Sequence, residues 1–373
     1  MQALRVVPKI FYFDTFKEFN EEFNIGKGDI MVTNQWMYDP YVKPLGVDIP
    51  VIYQEKYGKG EPSDEMIDAM VADMKAYDYD RIIAFGGGTI VDICKILALE
   101  STEKSVDLFT GKKMPKKVKE LIVVPSTCGT GSEVTNVAIA ELKSLQTKKG
   151  LAVEETYADI AVLIPESLQG LPDYVFATSS IDALIHAVES YLSPKASPFT
   201  EQFSLKAIEM IMEGYKAILA KGNTQENRKP FLKEFVLASN YAGIAFGNAG
   251  CGAVHALSYS IGGAFHVPHG EANYQFFTEV FKMYMRKAPE GKIAKANKIF
   301  ADILGCKVEN VYDEIEKLLN QLIEKKPLRE YGMVESQIEE FTKLTVDNQQ
   351  RLLANNYVYL SDDEIKEIFA NLY

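Results

Sequence analysis

Six short runs rich in β-branched and aromatic residues recur between residues 9 and 164: KIFYFD, DIMVTN, DIPVIYQ, RIIAFG, LIVVPS and ADIAVLI. Segments with helical periodicity separate them. Strands alternating with helices predict a mainly parallel sheet covered on both faces. After PESLQGLP (165 to 172) the pattern changes. FSLKAIEMIMEGYKAILAKG (203 to 222), KPFLKEFVLASNYAGIAF (229 to 246) and KIAKANKIFADILG (292 to 305) place apolar residues at helical spacing, and the β-branched clusters vanish. A chain of 373 residues also exceeds what one hydrophobic core serves. Two domains are therefore expected, residues 1–168 as α/β and residues 169–373 as all-α. The last helix is expected to start at SDDE (361 to 364), where Ser361 and Glu364 have the spacing of a capping box.

Two turns of the first domain carry glycines where a strand ends. In RIIAFGGGTIVDICKILAL (81 to 99), Gly86, Gly87 and Gly88 join a strand to a helix. Backbone N–H groups without a neighbouring Cβ can approach a phosphate there, and the helix N-terminus favours negative charge. The dinucleotide fingerprint is incomplete, because Val91 holds the position of its third glycine. A second strand runs into STCGTGSEVT (126 to 135), where Gly129 and Gly131 bracket Thr130 and Ser126, Thr127 and Ser132 supply hydroxyls. Two such turns on one sheet point to a Rossmann-like dinucleotide-binding domain; the alternative is two ordinary tight turns.

The stretch IDALIHAVESYLSP (181 to 194) reads as a helix closed by Pro194, with Asp182 and His186 four residues apart among apolar neighbours. A carboxylate so placed is salt-bridged, faces water or holds a cation, since its burial alone costs several kcal/mol. The chain has four histidines, and His255, His266 and His269 lie together in GCGAVHALSYSIGGAFHVPHGEANY (250 to 274). One carboxylate and three imidazoles are enough for a divalent cation. The competing reading is a set of separately satisfied histidines, with Asp182 bonded to His186.

Net charge excludes other classes of partner. With 52 acidic residues against 40 Lys and Arg, a formal charge of −12 argues against nucleic acid or an anionic membrane. The basic run KKMPKKVKE (112 to 120) is expected to be a solvated loop. No secretory signal or membrane-length apolar run occurs, so a cytoplasmic protein is expected. Cys94, Cys128, Cys251 and Cys306 have no CxxC spacing, which leaves neither a disulfide framework nor a cysteine zinc site.

GGGTIVDICK (86 to 95), PSTCGTGSEVT (125 to 135), IDALIHAVESYLSP, AGIAFGNAGCGAVHAL (242 to 257) and HVPHGEAN (266 to 273) together resemble the iron-containing (group III) alcohol dehydrogenase family. The resemblance implies a dehydroquinate synthase-like architecture with an all-α metal-binding domain. It implies Asp182, His186, His255 and His269 as metal ligands, and Gly87, Gly88 and Thr89 as the pyrophosphate turn. Ser126, Thr127, Thr130 and Ser132 would surround the nucleotide, with Lys149, or Lys148, near the nicotinamide ribose. Asp92 falls where the family keeps an acid near the crevice, a helix-surface role being the alternative. The implied metal is Fe2+, with Zn2+ as alternative.

Several residues depart from the commoner family pattern. Tyr259 stands where most members have a second histidine, Ser260 replaces a proline and Glu271 an apolar residue; these changes resemble the branch acting on 4-hydroxybutyrate. Tyr259 and His266 are the candidates for moving the alcohol proton. Asn34 stands where members preferring NAD carry Asp, and an amide there does not repel a 2′-phosphate, so NADP stays open; NAD is expected from the resemblance to that branch alone. The implied reaction is reversible hydride transfer between a primary alcohol and an aldehyde. The alternatives are a butanol, 1,3-propanediol or glycerol dehydrogenase and, from another class, a dehydroquinate-synthase-like lyase. A small-molecule partner and a homo-oligomer, at least a dimer, are expected.

Overall fold

A computed structural model of the chain describes residues 2–101 and 104–373. It divides into two compact units: Val6–Thr127 with Gly131–Gly170, and Leu171–Tyr373 with Cys128–Thr130.

The first unit contains eight strands: β1 (Lys9–Tyr12), β2 (Asp29–Thr33), β3 (Val51–Tyr53), β4 (Arg81–Gly86), β5 (Glu120–Pro125), β6 (Val137–Leu142), β7 (Thr147–Ala152) and β8 (Ile160–Leu163). Six form one sheet in the order β1-β8-β5-β4-β2-β3, and every pairing in it is parallel. These are the six runs that stand out in the sequence. Successive residues of β4 enter opposite cores. Ile82 and Ala84 pack with Ile30, Val32, Leu121 and Val123, whereas Ile83 and Phe85 pack with Met31, Ile122 and Val124. That is the two-residue period of a strand with both faces covered, and it explains why each run reads as continuously apolar. A parallel sheet also gathers its C-terminal strand ends along one edge. The helices α1 (Gln35–Tyr41) and α2 (Gly88–Leu97) start there, after β2 and β4.

The antiparallel hairpin β6–β7 is absent from the sequence reading. Its second strand, TKKGLA, leaves five of six residues exposed and so carries no apolar signal. Its first strand alternates, burying Ala138, Ala140 and Leu142 in the same core as the α2 residues Ile90, Val91 and Cys94.

The second unit is helical. Its principal elements are α3 (Asp173–Leu192), α4 (Pro198–Leu219), α5 (Leu232–Ala249), α6 (Ala253–Phe265), α7 (His269–Lys287) and α8 (Asp362–Leu372). The stretch singled out around Asp182 is the second half of α3, which ends at Leu192, two residues before Pro194. Every residue from Ser180 to Leu192 is buried, so this half has no solvent face. A helix sealed all round belongs at the centre of its unit, and α4, α5 and α7 pack against it.

Two glycines allow close approach to α3. A Cβ at Gly270 would overlap the Thr178 carbonyl, and one at Gly129 would overlap the backbone of Ser179. The start of α7 and the loop 128–130 therefore both press onto the turn that precedes Asp182. The expected capping box holds α8: Ser361 Oγ accepts from Glu364 N, and the Glu364 carboxylate accepts from Ser361 N. Among the described residues no helix is long and apolar enough to cross a membrane.

Candidate active site

Asp182 and His186 are one turn apart on α3, His255 lies in the first turn of α6 and His269 opens α7. One ligand-capable atom from each lies within 4.8 Å of all the others. Asp182 Oδ1 is 3.8 Å from Nε2 of both His255 and His269, and its Oδ2 is 3.8 Å from His186 Nδ1. These separations are too long for hydrogen bonds. The two Nε2 distances approach the spacing around an ion, because ligands about 2.1 Å from a metal stand roughly 3.4 Å apart across a tetrahedron. The three imidazoles are thus gathered around Asp182, and the hydrogen bond expected between Asp182 and His186 in the competing reading is not formed.

Neighbouring groups orient the rings. His255 Nδ1 is 2.6 Å from Glu189 Oε2, whose other oxygen accepts from Val254 N at 2.7 Å. A proton held on Nδ1 leaves the Nε2 lone pair facing the cluster, the usual carboxylate support of a metal-binding histidine. His186 Nδ1 lies 3.3 Å from the Gly129 carbonyl oxygen, and its ring stacks on Phe246 at 4.2 Å. Burial pushes the His186 pKa down to about 3 against the pull of Asp182, so the ring is neutral. Burial works against the charge of Asp182 as well, but the three imidazoles and Asn273 hold its pKa below the usual carboxylate value. The donor set is one carboxylate and three imidazoles, which suits a divalent cation of the iron and zinc type. Three members are buried, while the His269 side chain is 39% exposed and forms the accessible side.

Asn273 belongs to this cluster and escaped the sequence reading. Its Nδ2 donates to Asp182 Oδ1 at 2.8 Å and lies 3.1 and 3.2 Å from Nε2 of His255 and His269. Ser258 Oγ fixes its oxygen at 2.5 Å. The available signal was position: Asn273 follows His269 by four residues, on the same face of α7.

Tyr259, one turn after His255, stacks its ring 6.1 Å from that of His269. His266 is exposed, caps α6 in a left-handed conformation (φ 53°) and lies outside the four-residue cluster. Glu271 is buried, and its carboxylate accepts from the hydroxyls of Tyr174 and Tyr331. Cys128 and Cys251 are free and buried; burial pushes the Cys128 thiol up to about 12, which makes it unreactive.

In the other unit, the expected nucleotide residues lie mainly along the C-terminal edge of the sheet. Gly87 is the N-cap of α2, and a Cβ there would meet the Thr127 methyl at 3.3 Å. Thr89 Oγ1 donates to the Gly60 carbonyl at 3.1 Å, and Ser126 N donates to Gly86 O at 3.0 Å. Ser132 and Asp92 face inward. Ser132 Oγ donates to Asp92 at 2.7 Å and accepts from the buried Lys95 ammonium at 2.6 Å, while Asp92 also accepts from Ile139 N. Lys95 is a second residue that the sequence reading missed; it and Asp92 tie α2 to the turn and to β6. Lys149 is exposed on β7, and its neighbour Lys148 pairs with Glu61 at 2.5 Å. Thr130 falls with Cys128 and Gly129 in the helical unit. Asn34 follows β2 as the N-cap residue of α1, its amide donating to Gln54 at 3.3 Å and Glu55 at 2.9 Å.

Compared with known families, residues 9–165 match "Iron-containing alcohol dehydrogenase" and residues 176–373 match "Fe-containing alcohol dehydrogenase family, C-terminal". The chain belongs to the iron-containing alcohol dehydrogenase family. Membership decides between dehydrogenase and lyase in favour of the first. Within this family of oxidoreductases the chain is 54% identical over 373 residues to 4-hydroxybutyrate dehydrogenase of Clostridium kluyveri, covering 100% of both chains. It is 33% identical over 322 residues to long-chain-alcohol dehydrogenase 1 of Geobacillus thermodenitrificans, covering 83% of this chain and 79% of that one. Sulfoacetaldehyde reductase from Bifidobacterium kashiwanohense, solved in complex with NAD+, shares the fold with a TM-score of 0.86 at 22% identity, over 100% of this chain and 98% of that one.

Proposed function

We propose that this iron-containing alcohol dehydrogenase interconverts 4-hydroxybutyrate and succinate semialdehyde with NAD(H). The observation that carries the reading is the convergence of four donor side chains in a chain 54% identical, end to end, to a 4-hydroxybutyrate dehydrogenase. Asp182, His186, His255 and His269 would hold the ion, Fe2+ by family and Zn2+ as the alternative. When bound, such an ion supplies Lewis acidity toward the alcohol oxygen. Glu189 and the Gly129 carbonyl would fix the tautomers of His255 and His186, and Asn273 donates to Asp182 Oδ1, the oxygen that faces His255 and His269.

Residues 1–168 carry the nucleotide and residues 169–373 the metal and substrate. Gly87, Gly88 and Thr89 cradle the pyrophosphate at the start of α2, with Ser126, Thr127 and Thr130 around it and Lys149 toward the nicotinamide ribose. Asp92 and Ser132 hold the shape of that turn. Tyr259 moves the alcohol proton; its place beside His269 supports this, and the exposure of His266 counts against the alternative.

The substrate carboxylate needs a cation, and we assign that role to Arg351. It lies on the short helix Gln350–Leu353, which packs on α6, and the following Asn355 donates to the Cys251 carbonyl at 3.1 Å. Burial raises the Tyr259 pKa; His255 and, less strongly, Arg351 pull it down, while Cys251 pushes it up.

The enzyme acts in the cytoplasm as at least a homodimer, with β1, an edge strand of the sheet, as the candidate pairing surface. Sedimentation equilibrium returning a monomer removes the dimer. The activity is tested by following NADH absorbance with succinate semialdehyde and with butanal. A kcat/KM at least about 10-fold higher for succinate semialdehyde, a difference of about 1.4 kcal/mol, is expected. A preference for butanal overturns the substrate assignment.

A further inference from the structure

The parallel edge places three strand ends side by side. The glycine turn follows β4, Asn34 follows β2, and Gln54 and Glu55 follow β3; β2 pairs with both of the others. A dinucleotide whose pyrophosphate lies at the β4 turn would direct its adenosine ribose toward the end of β2. An acid commonly stands there and repels a 2′-phosphate. Here the residue is neutral.

Glu55 supplies the missing charge from the next strand. Its Oε2 accepts from Asn34 Nδ2 at 2.9 Å and its Oε1 accepts from Gln35 N at 2.8 Å. Gln54 Oε1 takes the same Asn34 nitrogen at 3.3 Å. The amide is thereby oriented, with its nitrogen committed to Gln54 and Glu55 and its oxygen turned away from them as an acceptor. The Asn34 side chain makes no capping bond to α1, so it is not claimed by the helix it precedes. The adjacent cation, Lys56, lies over the Tyr53 ring at 5.0 Å, and no ion pair to Glu55 is found among the described residues.

We propose that Glu55, held by Asn34 and Gln35, is the residue by which this enzyme rejects NADPH in favour of NADH. The reading rests on the NAD(H) assignment above. Asn34 and Glu55 divide between them what one Asp does elsewhere: the amide oxygen accepts from the ribose, and the neighbouring carboxylate opposes a phosphate on the same sugar. Like charges juxtaposed in this way discriminate by repulsion.

Binding separates the possibilities without turnover. Dissociation constants for NADH and NADPH would be measured by fluorescence titration of the metal-free protein, for the wild type, Glu55→Gln and Asn34→Ala. The wild type is expected to bind NADH more tightly. Glu55→Gln should tighten NADPH about 10-fold or more and change NADH by less than about 3-fold. Asn34→Ala should weaken both cofactors by a similar factor and keep their ratio. A wild type that prefers NADPH removes both this proposal and the NAD(H) assignment. A wild type that prefers NADH, with Glu55→Gln retaining the full preference, removes Glu55 alone. Loss of the preference in Asn34→Ala and not in Glu55→Gln transfers the role to Asn34.

Discussion

Three of the four proposed ligands are buried, and burial alone would expel such charged or basic groups; their mutual arrangement is what makes it tolerable. The sequence shows these residues because histidine is scarce in the chain and its positions stand out. Asn273 does not stand out, since an amide among many amides carries no compositional signal; only the fold turns it toward Asp182. Tyr259 and Arg351 can be separated by experiment. Tyr259→Phe is expected to lower kcat by about 100-fold or more, as loss of a positioned proton-transfer group does, with metal content unchanged by elemental analysis. His266→Ala should leave kcat within about 2-fold. Equal effects of the two variants would remove the proton-transfer role of Tyr259. Arg351→Ala should raise KM for 4-hydroxybutyrate by about 10-fold or more while leaving that for butan-1-ol unchanged, because a charged hydrogen bond contributes about 1.5–3 kcal/mol. A parallel rise for both alcohols would point to lost packing in place of carboxylate recognition.

The elements were legible where one physical rule acts alone. Both faces of the sheet are covered, so its six strands announce themselves as apolar runs, and Ser361 with Glu364 announces the last helix. The β6–β7 hairpin stayed hidden because its outer strand is polar and its inner one is held by contacts with α2. Lys95 is one such contact: fully buried, it donates to Ser132 and to the Val137 carbonyl at 2.7 Å, and lies 3.8 Å from Asp92. Lys95→Met would leave Asp92 without its cation and is expected to destabilise the protein by about 3 kcal/mol in urea denaturation. Burial, against the attraction of Asp92, holds Lys95 at about 8, whereas an unfolded lysine titrates near 10.4. Between these values the unfolded chain binds more protons, so the Lys95 contribution to stability rises from pH 8 to pH 10 and is fully unfavourable below that window. The substitution should remove this upward slope; an unchanged slope would assign it to another group.

At the scale of the molecule, the division of labour follows from which unit owns which donors. All four proposed ligands come from three helices of one unit, so an ion there cross-links α3, α6 and α7 without involving the sheet. Binding to the folded state alone stabilises by about 2.7 kcal/mol when free metal exceeds its dissociation constant 100-fold. Removal of metal with a chelator is therefore expected to lower the melting temperature by several degrees, and Asp182→Asn protein should show no such response. A chelator shift that persists in Asp182→Asn would place the stabilising ion elsewhere.

His269 is the one proposed ligand that solvent reaches, and this bears on how the enzyme acquires its ion. The other three are walled in, so an ion held by the four residues would meet solvent on the His269 side. An opening on one side does not sort ions of similar size, so the metal bound there would follow supply at the time of synthesis. Cells starved of iron and fed zinc should yield the same polypeptide carrying zinc, a swap that elemental analysis of the purified protein would reveal.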